Sequence, residues 1–327
     1  MHAIRQHEFG PPETLRYQEV PDPMPPAGHV RIAVEAAGVH LVDTAIRRGE
    51  ARGPFPLPDL PMTPGREVAG RVDRLGPDVE DAWLGRRVVA HLGIASGGYA
   101  DRAVAPATAL HELPDHLAAE AAVAMVGTGR TALGVLDTAA VTDDDVVLVT
   151  AAAGGLGSLF VQAARQAGAV VVGLAGGPRK VELVRRQGAD AAVDYLRPDA
   201  VDQARAALEG RSPTLLLDGV GGDTARAAFD LLGPGGRVVM YGAASGRPLQ
   251  LTTGDLVARS LAATWALGPR LASGPDGMRA LASRALAEAA AGRLVPLVES
   301  PFPLAEAAAA HAALESRATA GKVVLVP

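Results

Sequence analysis

Cysteine is absent from the 327-residue chain. Its absence excludes disulfides and thiolate metal ligands, and leaves the redox compartment unmarked. Aromatic residues are scarce at 3%, so alanine and valine must fill much of the interior that rings would otherwise occupy. No uninterrupted apolar run approaches the ~20 residues of a membrane span. The opening MHAIRQHEFG has no apolar core of signal-peptide length. Nor is positive charge in excess. The formal net charge is −5, and no basic run interleaved with aromatics occurs, which argues against nucleic acid or anionic membrane as a partner. What remains is an ordinary globular composition, 48% hydrophobic and 20% charged, in a chain long enough for about two domains. A soluble cytoplasmic protein is the expectation.

Residues 1–122 read as short β segments between Pro- and Gly-rich turns. HVRIAVEAAGV, REVAGRVDRLG and RRVVAHLG are set apart by PDPMPPAG and GPFPLPDLPMTPG. Strands this short, spaced by turns, predict a small irregular β-barrel. The texture changes near residue 123. Apolar strands now alternate with helical segments: VVLVT, then LFVQAARQAG; VVVGL, then PRKVELVRRQG; TLLLD, then DTARAAFDLLG; RVVMYG, then SLAATWAL. Strands alternating with helices of about ten residues predict right-handed crossovers and a doubly wound parallel sheet. The fold class is therefore α/β, with a first domain over 1–122 completed by 268–327 and a second over 123–267. Gly168, Gly188 and Gly233 are expected as left-handed helix caps, where a Cβ would be unwelcome.

The stretch VVLVTAAAGGLGSLF is a buried strand, a turn of small residues and a helix start. Set against G-x-G-x-x-G, it runs Ala152, Ala153, Gly154, Gly155, Leu156, Gly157, with alanine in the first glycine slot. Such a turn lets a pyrophosphate approach the backbone at a helix N-terminus, where unpaired N–H groups and the helix dipole favour the anion. Gly154 would permit that approach, and Gly157 would let helix and strand pack closely. A plain tight turn is the alternative.

About 20 residues further on, a dinucleotide site usually places a carboxylate on a ribose hydroxyl. This chain has GLAGGPRK there, Gly173 to Lys180. Small residues followed by Arg179 and Lys180 suit a 2′-phosphate, which is better served by cations than by an acid. NADPH rather than NADH is the implied cofactor. The alternative is that both cations are simply solvated on a first helical turn.

At this point a family emerges. GPPETL, GVHLVDTAIRRG, AAAGGLG, GADAAVDY, LLLDGVGG, GRVVMYGAASG and the closing LESRATAGKVVLVP together resemble the zinc-independent quinone oxidoreductases of the medium-chain dehydrogenase/reductase superfamily, over essentially the whole chain. The resemblance implies a GroES-like catalytic domain, a Rossmann domain and NADPH. It places Lys180, Tyr195 and Arg317 on the 2′-phosphate. It also puts Ala153, Gly154, Gly155, Leu156, Gly157, Gly176 and Gly219 along the cofactor, with Tyr241, Gly242 and Leu267 beside the nicotinamide. Where zinc-dependent relatives carry Gly-His-Glu, this chain has Gly65-Arg66-Glu67, and the four-cysteine structural loop has no counterpart. No metal is expected, and His91 and His111 read as ordinary.

Without a metal, the chemistry is expected to rest on positioning and hydrogen bonding. The resemblance makes GVHLVDTAIRRG the nicotinamide-side loop, with His40 in a slot usually held by asparagine. His40 is the candidate donor to the substrate oxygen or the cofactor carboxamide, and its imidazole could also deliver a proton; a packing histidine is the alternative. Asp43 and Thr131 complete the candidate catalytic set, Asp43 with a capping role in view and Thr131 as a helix residue near the cofactor. Ala45 and Ala51 stand where some relatives have tyrosines, which puts the flat quinone acceptor in question. Three readings follow: a quinone reductase; a reductase of the carbon–carbon double bond in enals, enones or enoyl thioesters; and, from another class, an NADPH-binding structural or RNA-binding protein with little turnover. Relatives pair Rossmann sheets edge to edge, so a homodimer is expected, with RSLAATWALG as the edge. Trp265 is left open between pocket and interface.

Overall fold

A computed structural model describes residues 1–50, 57–93, 96–271 and 277–327. The chain divides into two compact units, one of Met1–Gly129 with Ala282–Pro327 and one of Arg130–Leu281. The boundaries expected at 122 and 268 thus stand at 129 and 282. The π-helical turn Met125–Gly129 closes the first unit, and the helix Arg130–Ala139 opens the second.

The second unit is built on six parallel strands. In chain order they are Val146–Val149, Val170–Ala175, Ala191–Asp194, Leu215–Asp218, Arg237–Met240 and Ala262–Trp265. Their spatial order is third, second, first, fourth, fifth, sixth, the doubly wound arrangement with its switch point beside the first strand. Every residue of Val146–Val149 and of Leu215–Asp218 is buried. A parallel strand covered on both faces has no reason to alternate, which is why these stretches read as unbroken apolar runs. At the far end of the sheet Arg237 clamps Asp145 through two 2.8 Å bonds, while its Nη2 also donates to the Ala139 carbonyl. Burial alone would raise the Asp145 carboxyl; bonds from Arg237, Thr214 and the Thr142 N–H instead hold it down at about 2.

Two of the three predicted glycine caps have the left-handed backbone, Gly168 at φ 87° and Gly188 at φ 99°. Gly233 does not. Its helix ends earlier, at Asp230, and Gly233-Pro234-Gly235-Gly236 instead forms a turn closed by the Gly236 N–H on the Gly233 carbonyl at 3.1 Å. Proline presets the second position, and the left-handed third falls to Gly235, at φ 75°.

In the first unit one long strand, His29–Val39, organises the sheet. Glu67–Leu75 runs antiparallel beside it with two register shifts, Arg102–Pro106 pairs with its first half, and the C-terminal strand Val323–Val326 pairs with its last residues. Val323 lies opposite Val39, and Val68 opposite Ala37. The residues just outside those pairs, Lys322, His40 and Glu67, are thereby brought to one place from three distant parts of the chain. Among the described residues no helix is long and apolar enough to cross a membrane.

Candidate active site

In the second unit the turn after Val146–Val149 delivers the helix Gly155–Gln166 end-on to the sheet. Its N-cap is Gly154, in extended conformation (φ −80°, ψ 173°), and no side chain caps the first turn. Its opening N–H groups are left for an anion. A Cβ on Gly157 would overlap the Ala151 carbonyl and stand 2.7 Å from the Ala152 Cα, and one on Gly154 would come within 3.1 Å of the Ala151 carbonyl. The close approach of backbone to backbone therefore requires glycine at 157. Ala153 is buried beneath the turn, while Gly155 and Leu156 are half-buried along it. A dinucleotide pyrophosphate fits this cradle.

At the end of the neighbouring strand, Gly176 packs beside Tyr195, with room for a Cβ only 3.1 Å from the phenol oxygen. Tyr195 is tied to the same strand end by its N–H on the Ala175 carbonyl at 3.1 Å. Pro178 opens the helix Pro178–Arg186, which puts Arg179, exposed, and Lys180, half-buried, in its first turn. The sequence suggested a loop free of carboxylates, but the adjacent strand supplies one. Asp194 Oδ1 accepts from the Gly177 N–H at 2.8 Å and the Leu196 N–H at 3.0 Å. That oxygen fastens the loop. Only the strand pairing brings it there, although GADAAVDY carries the residue in plain view.

A third group forms where Leu215–Asp218 ends. Asp218 is fully buried, and burial pushes its carboxyl up while bonds from Thr150 Oγ1 (2.7 Å), Val220 N–H and Gly221 N–H work against it. Tyr241 donates its N–H to the Asp218 carbonyl at 2.8 Å, and its ring lies edge-on to Phe160 with centroids 5.0 Å apart. The Tyr241 phenol is buried against the Thr150 carbonyl, so what this residue presents at the strand end is backbone. Gly219 gives way to that ring, and a Cβ on Gly242 would stand 2.9 Å from the Gly219 carbonyl. Leu267 is half-buried just after the edge strand, and Thr131 is half-buried in the first turn of Arg130–Ala139.

In the first unit His40 precedes the helix Leu41–Arg47, and its N–H donates to Asp43 Oδ2 at 2.9 Å, fastening the helix start. Asp43 is buried and also accepts from Arg66 Nε at 3.0 Å and the Tyr99 hydroxyl at 3.3 Å. The His40 ring turns Nε2 toward Glu67 Oε1 at 2.8 Å, and the Lys322 ammonium donates to that nitrogen at 3.0 Å. Lys322 also stands 2.9 Å from Glu67 Oε2. Burial alone would raise the Glu67 carboxyl, but His40, Lys322 and His91 together hold it well below the usual carboxylate range. His91, read from sequence as ordinary, lies directly across the sheet from Glu67. His111 keeps that reading, beside Ser283 at 3.3 Å. Lys322, Tyr99 and His311 were not singled out by pattern, and Glu67 was read only as the last residue of Gly65-Arg66-Glu67, with no partner assigned to it.

Of the trio expected on a 2′-phosphate, Lys180 and Tyr195 belong to the second unit and Arg317 to the first. Arg317 is exposed, with a left-handed backbone (φ 58°), just past the helix Ala307–Glu315. Ala45 is buried within Leu41–Arg47, at 4% exposure, and Ala51 lies outside the described residues. Trp265 is 48% exposed on the edge strand of its sheet.

Residues 26–115 match the alcohol dehydrogenase GroES-like domain, and residues 155–283 match the zinc-binding dehydrogenase family. The donors present do not fit a zinc ion. Among the described residues no three His, Cys, Asp or Glu side chains come together as a metal-holding group. The buried carboxylate already has an ammonium at 2.9 Å, and the neighbouring Arg66 is a cation bonded to Asp43. Over 98% of its length the chain is 32% identical to a quinone oxidoreductase of Pseudomonas aeruginosa, of which it covers 97%. It is 33% identical to a 2-haloacrylate reductase of a Burkholderia species, with 98% and 97% of the two chains covered. Among solved structures it is similar to the Escherichia coli quinone oxidoreductase complexed with NADPH, at a TM-score of 0.86 and 29% identity over the full length of both chains. Motifs, strand order and full-length similarity agree: the chain belongs to the quinone oxidoreductase family of the medium-chain dehydrogenase/reductase superfamily.

Proposed function

We propose that the protein is an NADPH-dependent reductase that works without zinc and transfers hydride to a quinone. The observation that carries the cofactor half is the uncapped, glycine-rich start of the helix Gly155–Gln166, with Gly176 packed beside Tyr195 at the next strand end and Lys180 in the helix turn that follows it. The unpaired N–H groups at the start of Gly155–Gln166 take the pyrophosphate. Lys180 and Tyr195 take the 2′-phosphate, with Arg317 as the third partner by family resemblance. Bound NADPH supplies the hydride. The second unit is the cofactor domain, and the first is the catalytic domain. There His40 donates a hydrogen bond to the acceptor oxygen, where negative charge gathers during reduction.

A second reading, reduction of a conjugated carbon–carbon double bond, is favoured by the 33% identity to the 2-haloacrylate reductase. A homodimer paired through Ala262–Trp265 is part of the proposal, supported by the 48% exposed Trp265 on that edge.

The test is oxidation of NADPH against a panel of quinones and conjugated enals. Rapid turnover with quinones establishes the first reading, turnover with enals alone establishes the second, and silence on both leaves an NADPH-binding protein. Lys180→Ala should weaken NADPH binding by about 10- to 100-fold while changing NADH binding little, as expected for one charge-assisted phosphate contact. Equal losses for both cofactors would remove Lys180 from the 2′-phosphate.

A further inference from the structure

Two helices of the first unit are tied together twice, one helical turn apart. Asp43, in the first turn of Leu41–Arg47, accepts from the Tyr99 hydroxyl at 3.3 Å, and His311 Nε2 stands 3.2 Å from that same hydroxyl. One turn on, Arg47 donates through Nη2 to Glu315 Oε1 at 2.8 Å. Asp43 and Arg47 lie on one face of their helix, and His311 and Glu315 lie on one face of Ala307–Glu315, at the same spacing. Arg48 also donates to Glu315 Oε1, while its Nε and Nη2 hold the Glu50 carboxylate at 2.9 and 3.1 Å.

The second tie is made with a buried cation. The Arg47 side chain is 1% exposed; its Nε donates to the Gly10 carbonyl at 3.1 Å, and its Nη1 is buried with no partner. A buried ion pair of this kind adds little net stability, because desolvation offsets most of the attraction. What it fixes is geometry, and the point it fixes is the last residue of Ala307–Glu315.

Immediately beyond that point the chain makes a complete left-handed helix stop. The Arg317 N–H donates to the Leu314 carbonyl at 3.1 Å and the Ala318 N–H to the Ala313 carbonyl at 2.9 Å, with Arg317 at φ 58°. Glycine is the residue such a stop favours, since a Cβ in the left-handed region is crowded. An exposed arginine kept there points to a use for its side chain.

We propose that Glu315 is a positioning residue for Arg317 and, through it, a determinant of the preference for NADPH over NADH. Anchored by Arg47 and Arg48, it fixes the helix end from which Arg317 meets the 2′-phosphate. This rests on the reading above that puts Arg317 on that phosphate. NADH carries a hydroxyl in place of the phosphate, makes no use of Arg317 and is indifferent to the anchor.

The test is fluorescence titration of NADPH and NADH, with calorimetric titration of 2′,5′-ADP, on the wild type, Glu315→Gln, Arg317→Gly and the double variant. Arg317→Gly should weaken NADPH and 2′,5′-ADP by about 10-fold and leave NADH unchanged. It should also resist urea no less than the wild type, because glycine suits the turn. Glu315→Gln should weaken the same two ligands by about 3- to 10-fold, with NADH changed less than about two-fold. In the double variant the two losses should not add, since one residue acts through the other. Equal losses for NADPH and NADH, or losses that add, overturn the proposal, because a helix end that merely supports the fold has no reason to single out the phosphate. Should Glu315→Gln fail to fold, Arg48→Met decides, for Arg48 is 36% exposed and Arg47 then keeps its carboxylate. It should show the same selective loss, of about two-fold or more, and an unchanged ratio of the two affinities overturns the proposal. If Arg317→Gly binds both cofactors as the wild type does while Lys180→Ala loses NADPH alone, Arg317 is not on the phosphate and the proposal falls. If neither of those variants discriminates, the 2′-phosphate reading itself falls, and the proposal with it.

Discussion

Gly157→Val should abolish useful NADPH binding, raising the dissociation constant by at least about 100-fold, or ~3 kcal/mol. The added Cβ meets backbone on both sides, the Ala151 carbonyl and the Ala152 Cα, so no side chain can swing aside to admit it. Relief requires the helix Gly155–Gln166 to draw back from Val146–Val149. Retreat of the helix removes its N–H groups from the pyrophosphate and opens a gap where the two elements pack. Gly154→Ala is the matched control. Its Cβ meets only the Ala151 carbonyl, at 3.1 Å, which a small shift accommodates, and its loss should be several-fold at most. Titration of the reduced cofactor by fluorescence reads both variants. Wild-type affinity in Gly157→Val would mean that the pyrophosphate lies elsewhere.

The second large effect concerns acid. His311 is fully buried in the helix Ala307–Glu315, with Nε2 3.2 Å from the Tyr99 hydroxyl. Tyr99 donates to Asp43 at 3.3 Å, so the hydroxyl accepts from His311 Nε2–H, and Nδ1 is left bare with no partner. A proton on Nδ1 would be a buried N–H with nothing to receive it. Burial lowers the His311 pKa from 6.5 to about 4, with Arg47 acting in the same direction and Asp43 and Glu315 against it. Between those values the unfolded chain binds a proton that the folded chain refuses. Stability from this residue is thus complete above pH 6.5 and drains away as pH falls toward 4, by about 3 kcal/mol in all. Urea unfolding at pH 7.5 and pH 5 should show the wild type losing more stability than His311→Leu over that interval. Equal losses in the two proteins would show that His311 is not kept neutral.

Much of the fold was legible because its signals are local. A strand covered on both faces is apolar along its middle, so VVLV, the LLL before Asp218 and the VVM after Arg237 declare themselves, and the glycines after the first of them mark the cradle. The helix stops were less legible. Gly233 and Gly235 look alike in sequence, and only the proline between them decides which one turns left-handed. In the polar heart of the first unit, His40 and Asp43 were legible as candidates, but the company they keep was not. His40 and Lys322 are 282 residues apart, and they meet only because Val323 pairs with Val39. No periodicity announces such a meeting. Asp194 shows the same limit in miniature: its letter is plain, but its role at Gly177 depends on a neighbouring strand. Of the candidate catalytic residues, His40 and Asp43 lie together at one helix start and Thr131 lies in the other unit.

The chain's shortage of lysine also makes it unusually simple to an amine-seeking reagent. Lys322 is walled in at 6% exposure, and the N-terminal amine is bonded to the Val20 carbonyl and paired with Asp22. That leaves Lys180, half-buried in the first turn of its helix, as the more accessible of the chain's two lysines. Lysine-directed reagents would favour this position over Lys322. A single covalent tag would therefore report on the end of the cradle, and immobilising the protein by its amines would tether it there.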